Sequence, residues 1–349
     1  MAHLEVTDRL GEHAPAWDAL VAAADPPNAM WRSWALVARE EPDLRYLLVV
    51  DEGRLLGGLT VTVRATRRFA IPVVTLPAAA ASHADLLAVP GKEQEVADHV
   101  AGWFRSHRNA IIDLWGLVPS GRLPGVVGAT PTLSQVGHSP YVSLPDDFEH
   151  YLATRSANFR SNLRRNRRRL QQAGFRHRVL HADETDRALS ELHRLHAQRH
   201  GERSTFLPRF EAFSRVARAG VAVGELTFHA LERDADIIAI DAVFEVAGRA
   251  DYYQGGRDTV TREHQGAGLV LLAEIVATGS QRGLRELDLQ PQADAYKLGF
   301  TEQLRPVSRL HATRGWAPVW VPRVRRIGRA LRPRVALTGE HRHGGRDED

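Results

Sequence analysis

Asp251-Tyr-Tyr-Gln-Gly-Gly-Arg257, Gln265-Gly-Ala-Gly268, Leu287-Asp-Leu-Gln290 and Tyr296-Lys-Leu-Gly-Phe300 follow one another between residues 251 and 300. The order is that of a strand, a glycine turn opening a helix, a second strand and an aromatic-lysine segment. At the start of such a helix the backbone N–H groups lack intrahelical partners and the dipole favours negative charge. A phosphate or pyrophosphate is the natural guest there. Two glycines let the backbone approach it without an intruding Cβ.

Outward from this stretch, the sequence predicts a duplication. Strand-like runs at 223–231, 237–244 and 249–255 precede the helix at 268–281 and the strand at 285–289. The first half carries the same series: runs at 46–50, 55–63 and 70–75, an amphipathic helix at 93–104 and a strand at 110–115. Asp51-Glu-Gly53 and Glu232-Arg-Asp-Ala-Asp236 are placed as hairpin turns. The first copy has Pro77-Ala-Ala-Ala-Ala-Ser-His83 where a glycine turn would stand, so one site, in the second copy, is expected.

Between the copies, Phe148, Leu152, Phe159, Leu163 and Leu170 form a single apolar helical stripe over 146–172, ended by Gly174. Nine arginines lie from Arg155 to Arg178, and no acidic residue appears before Asp183. Unbalanced like charges repel one another, so the segment points to an anionic partner.

The ordered set resembles the Gcn5-related N-acetyltransferase (GNAT) superfamily, and more closely its two-domain branch of cellulose-biosynthesis-type acetyltransferases and Fem peptidyltransferases. The resemblance covers roughly residues 15 to 312. It rests on Glu263-His-Gln-Gly266-Ala-Gly268, set against the family's Arg/Gln-x-x-Gly-x-Gly/Ala, and on the Tyr-Lys-x-x-Phe ending at 296–300. The first signature position is Glu263, with Arg262 and Gln265 beside it as substitutes. The family's Ser-x-x-x-Arg-x-x-x-Arg-Arg helix between the domains is matched by Ser156, Arg160, Arg164 and Arg165.

What the resemblance implies is an α/β (α+β) fold of two tandem GNAT-like domains, each a mixed, mostly antiparallel sheet flanked by helices. The divisions expected are 1–145 without a donor site, an arginine-rich helix over 146–180, 181–315 with the donor site, and a basic tail over 316–349. Acyl-CoA, with acetyl-CoA foremost, is the implied co-substrate, bound by Arg262, Gln265, Gly266, Ala267 and Gly268. The implied acceptor is an amine of a sugar, peptide or specialised metabolite, with Arg160, Arg164, Arg165 and Arg168 as substrate-binding residues. An aminoacyl-tRNA-dependent transferase of Fem type and a catalytically inert binding protein stand as alternatives, the first using the arginines for tRNA.

Amine acylation needs a base for the ammonium and a donor for the developing negative charge. Asp241 interrupts the apolar run Ile237-Ile-Ala-Ile-Asp-Ala-Val-Phe244, and Asp288 sits within Leu287-Asp-Leu289. Burial raises a carboxyl's pKa and suits it to base work, which makes these two rival candidates. Tyr253 and Tyr296 are candidate proton donors. Lys297 matches the lysine that the resemblance implicates in stabilising charge.

The bulk properties exclude other classes. At 349 residues with a net charge of +4, the chain exceeds what one core usually organises. Without cysteine there is no disulfide framework, thiolate catalysis or thiolate metal site. No charged-then-apolar leader is read at the N-terminus, and no apolar run nears the roughly 20 residues of a membrane span, so a cytoplasmic protein is expected. His193, His196 and His200 share a helix face with Leu189 and read as a half-buried face, not a metal site. The tail from Trp316 to Arg334 reads as a basic amphipathic stretch suited to weak peripheral membrane contact, and 340–349 as a polar, disordered end.

Overall fold

A computed structural model describes residues 1–67, 69–77, 83–128, 131–144, 146–291 and 294–315. The tail expectations for 316–349 lie outside the described residues.

The first half runs β1 (His3–Thr7), α1 (Ala14–Ala23), α2 (Ser33–Ala38), β2 (Leu44–Asp51), β3 (Arg54–Ala65), β4 (Pro72–Thr75), a short β5 (Leu87–Ala88), α3 (Glu93–Ser106), β6 (Ile111–Leu117), α4 (Leu123–Val126) and β7 (Thr132–Ser143). Two helices follow, α5 (Phe148–Ala153) and α6 (Ala157–Gln172). The second half repeats the plan: β8 (Arg176–Val179), α7 (Thr185–His200), α8 (Phe210–Ala222), β9 (Leu226–Arg233), β10 (Asp236–Val246), β11 (Arg249–Arg257), α9 (Ala267–Gln281), β12 (Glu286–Asp288), α10 (Ala295–Leu298) and β13 (Leu304–Thr313). The duplication expected from the hydrophobic pattern is present, extended at each front end by one strand and two helices.

The apolar stripe over 146–172 is carried by two helices and not one. Ser156 takes an extended backbone and its Oγ accepts from the Phe159 N–H at 3.2 Å, ending one helix and capping the next. At Glu52-Gly53 and at Ala247-Gly248 the φ angles are all positive, between 48° and 77°. These are the left-handed pairs that match the twist of two-residue hairpins.

Twelve strands form a continuous order, β1-β2-β3-β4-β6-β13-β7-β12-β11-β10-β9-β8, with β5 attached to β3. The sheet is mostly antiparallel, and the parallel pairs β4·β6 and β11·β12 fall at matching places in the two halves. The halves exchange their last strands. From the second half, β13 pairs with β6, Leu310 opposite Leu114. From the first half, β7 pairs with β12, Val142 opposite Leu287. The two exchanged strands pair with each other along Leu304–His311 and Thr132–Pro140.

The second half is three layers. Leu163, Leu170, Val270, Leu271 and Phe300 bury one face of its sheet beneath α5, α6 and α9. Leu192, Leu195, Phe213, Val216 and Phe244 bury the other beneath α7 and α8. The first half has its own core around Trp17, Tyr46, Leu47 and Phe104.

Candidate active site

The parallel pair β11·β12 is short. Register pairs join Arg249–Asp251 to Glu286–Asp288, and none continues into Tyr252–Arg257. The opening so formed is bordered by the start of α9 and by α10.

Gly266 is the N-cap of α9, at φ +79°. A Cβ there would stand 2.6 Å from the side chain of Asn166 on α6, and one at Gly268 would stand 2.8 Å from Cδ and Nη1 of Arg257. Gly266 is therefore required by this close approach and by its backbone, whereas a Cβ at Gly268 would displace the Arg257 side chain. No side chain caps α9, and its first turn holds no acidic residue. The matching helix of the first half, α3, instead carries Glu93 and Glu95 in its first turn. Its dipole is met by its own carboxylates, whereas that of α9 is left for something else.

A cleft of about 700 Å³ separates α6 from this turn, with Asn162, Arg165 and Asn166 on one wall and Gly266, Leu269 and Tyr296 on the other. Arg169 ties the walls together by donating to the Gln265 carbonyl and, at 3.1 Å, to Asn166 Oδ1. Among the predicted donor-binding residues, Gln265 and Gly266 line the cleft, while Ala267 is buried in α9 and Arg262 is exposed on a 3₁₀ turn, Arg262–His264.

Asp241 on β10 is buried against the end of β11 that leaves β12. It pairs across the strands with Gly255, and its Oδ1 occupies the space a Cβ there would take, 1.9 Å away. The Tyr252 hydroxyl hydrogen-bonds to it. Burial raises the Asp241 pKa to about 7, against the lowering effects of Tyr252, Arg257 and Arg199. Burial likewise lifts the Tyr296 hydroxyl to about 12, so it holds its proton at neutral pH.

Tyr253 is not brought to Asp241. The β10·β11 register passes from Ala242↔Gln254 to Val243↔Tyr252, so Tyr253 is the bulged residue. It stacks on Phe213 with ring centroids 5.7 Å apart and meets Phe244 edge-on, on the α8 side of the sheet. The tyrosine on Asp241 is Tyr252, which the sequence reading did not single out. A bulge re-aims side chains, and its position is not written in a run of Asp-Tyr-Tyr-Gln-Gly-Gly.

Asp288 faces the junction of the halves. Its oxygens accept from Ser139 Oγ (2.6 Å), Gln290 N–H (2.7 Å) and His83 Nε2 (3.0 Å), with Arg249 Nη2 at 2.9 Å. These partners outweigh burial and hold its pKa far below the usual carboxylate range. Lys297 is buried and donates to the Gln290 carbonyl at 3.3 Å; burial lowers its pKa.

The arginines of α6 separate by role. Arg160 donates to the Ala153 and Arg155 carbonyls at the end of α5, and Arg167 pairs with Glu274 at 2.9 Å. Arg164, Arg165 and Arg168 are exposed, and among the described residues none of them meets a carboxylate. On α7, His193 lies against Phe210, while His196 is buried, hydrogen-bonds Ser204 Oγ at 2.9 Å and stacks near His200. Among the described residues no group of three His, Asp or Glu side chains is placed to hold a metal, and no helix is long and apolar enough to cross a membrane.

Residues 157–298 match the family model described as an acetyltransferase (GNAT) domain. No curated protein matches the chain. The chain's structure is similar to that of FemX, with a TM-score of 0.66 at 8% identity over 91% of this chain and 99% of that one. It is also similar to the C-terminal domain of a putative lysylphosphatidylglycerol synthetase from Agrobacterium fabrum, with a TM-score of 0.59 at 13% identity over 90% of this chain and 96% of that one. A third likeness is to L-PGS from Bacillus licheniformis, with a TM-score of 0.59 at 11% identity over 90% and 96% of the two chains. The matched segment holds α6, the glycine turn and Tyr296, and the similar structures span both halves. Residues 157–298 are thus similar to a GNAT acetyltransferase domain, and the chain as a whole shares the fold of these structures across both halves.

Proposed function

We propose that the chain is an N-acyltransferase that moves an acyl group, acetyl foremost, from acyl-CoA to an amine of a sugar, peptide or specialised metabolite. The observation that carries this reading is the uncapped, acid-free start of α9, which opens through Gly266 onto the 700 Å³ cleft. A pyrophosphate there gains the free N–H groups and the helix dipole, with Arg165 at the facing wall. Acyl-CoA supplies a thioester carbonyl and a thiolate leaving group.

Asp241 takes the general-base role, because a carboxyl with a pKa near 7 both accepts a proton from an ammonium and is ionised at working pH. The amine nitrogen then forms a bond to the carbonyl carbon, and the carbon–sulfur bond breaks. Tyr296, on the cleft wall with its proton held, gives that proton to the leaving sulfur and is reprotonated by the second proton that the acylated nitrogen sheds. Asp288 and Lys297 serve as supports: the first keeps β12 against the halves' junction, and the second braces the Gln290 turn.

Calorimetry with acetyl-CoA tests the donor assignment; micromolar binding is expected, and no binding by the folded chain would end the acyl-CoA reading. A second reading, an aminoacyl-tRNA-dependent transferase, is favoured by the exposed, acid-free Arg164, Arg165 and Arg168 and by the likeness to FemX. Tight tRNA binding without CoA binding would select it.

A further inference from the structure

A carboxylate that closes the loop between β11 and the glycine turn has no part in the steps above. Asp258 follows directly on β11, and its N–H donates to the Ile238 carbonyl of β10 at 2.8 Å. Its Oδ1 accepts from the Val260 N–H at 2.8 Å, from the Thr261 N–H at 3.2 Å and from Gln198 Nε2 of α7 at 3.4 Å. Its Oδ2 lies 2.7 Å from His264 Nδ1, which carries the proton because a carboxylate only accepts. Both side chains are nearly buried, Asp258 at 11% and His264 at 12% exposure. The His264 ring meets Phe175 edge-on, with centroids 5.2 Å apart.

The second oxygen sets this acid apart from an ordinary turn residue. A side chain that only capped the turn would need Oδ1 alone. Oδ2 instead reaches the residue six places on, where the chain is about to enter the cleft. The His264 N–H donates to the Thr261 carbonyl and the Gln265 N–H to the Arg262 carbonyl, so the ring holds the 3₁₀ turn at its far end. Gln265 and Gly266 follow at once. The first offers the carbonyl that Arg169 meets from α6, and the second is the left-handed N-cap of α9. Residues 259–263 are all exposed, so packing does little to fix the loop between the two anchors.

We propose that Asp258 and His264 are positioning residues for the donor: their contact fixes the loop so that the Gly266 turn stands open to the donor's phosphates before the donor arrives. This rests on the acyl-CoA reading of the cleft. Neither side chain lines the cleft, so the effect passes through the backbone of Gln265 and Gly266. A turn already held in its bound shape spares the complex the entropy of ordering it, which is how preorganisation raises affinity.

The test uses the full chain, with CoA affinity read by calorimetry and backbone hydrogen exchange by mass spectrometry. Asp258→Ala and His264→Ala should each weaken CoA binding about 10- to 100-fold. Each should also speed exchange in 259–266 while β10 and the body of α9 exchange as in the parent. The double variant should lose no more than either single one, because both act through one contact. Asp258→Asn should restore most of the affinity, since its oxygen still caps the turn and its amide donates to the other tautomer of His264. Should one alanine variant fail to fold, the other carries the same comparison. Native CoA affinity in folded variants, additive losses, or unchanged exchange at 259–266 overturns the proposal. So does a fall in Tm alone, which would make the pair a structural tie. A parent that binds no CoA, with faster exchange at 259–266 in the variants, keeps the positioning of the turn and removes the acyl-CoA reading. A parent that binds CoA beside variants that bind it equally well does the reverse.

Discussion

His83 Nε2 lies 3.0 Å from Oδ2 of Asp288, both side chains are wholly buried, and 205 residues of chain separate them. A carboxylate only accepts, so His83 carries its proton on Nε2 in this pair. The contact joins the end of the first copy's Pro-Ala segment to the strand that follows the second copy's helix. Arg249, Arg305 and Ser139 complete the knot, drawing in β11, β13 and β7.

Removing the Asp288 charge should therefore unfasten the halves. Asp288→Asn leaves Arg249 buried with one partner fewer, at a cost of about 3–5 kcal/mol. Thermal unfolding should show a fall in Tm of several degrees, with CoA affinity of the folded fraction unchanged. The sign with pH is also set. The folded pKa of Asp288 is depressed, so its stabilisation is present above the unfolded value of about 3.9 and lost below it. His83 is held neutral by burial, so its share is lost as pH falls below about 6.5. A Tm flat from pH 7 to pH 3 would refute this account.

Asp241 behaves in the opposite sense. Its folded pKa of about 7 exceeds the unfolded value, so the folded protein binds the extra proton between about pH 4 and pH 7 and loses stability as pH rises through that window. Above it the cost is roughly 4 kcal/mol, from about three pKa units at 1.36 each. Asp241→Asn should thus raise Tm at pH 8 more than at pH 5. It should also lower kcat by about 10²- to 10⁴-fold, the usual loss of a general base. A variant with near-native turnover would move the base elsewhere.

Gly266→Ala probes the donor turn. The new Cβ meets Asn166 at 2.6 Å, and the left-handed backbone adds about 1–2 kcal/mol of strain. CoA affinity measured by calorimetry should fall more than tenfold while the circular dichroism spectrum stays native. Native affinity in a folded variant would place the phosphates away from this turn.

The exposed arginines of α6 answer to salt. Changing Arg164, Arg165 and Arg168 together to Gln should weaken binding of a polyanion and flatten the plot of log affinity against log salt, because each lost phosphate contact lowers the slope. The same slope for parent and variant would mean that these side chains only solvate the helix.

The sequence by itself determined the repeated strand–helix–strand order and the glycine turn at 266–268. It also marked the two aspartates out of place in apolar strands. All of these are local: period-two and helical patterning, left-handed turns and a polar residue inside an apolar run are written within ten residues of one another. The tertiary structure alone decided the rest. The exchange of β7 and β13 depends on pairings more than 140 residues apart, which no local pattern encodes. Likewise Asp241 and Asp288 look alike in sequence, and what separates them is distant: Arg249, Ser139 and His83 surround one, while Gly255 and Tyr252 leave the other protonatable. The choice between Tyr252 and Tyr253 turned on the placement of one bulge.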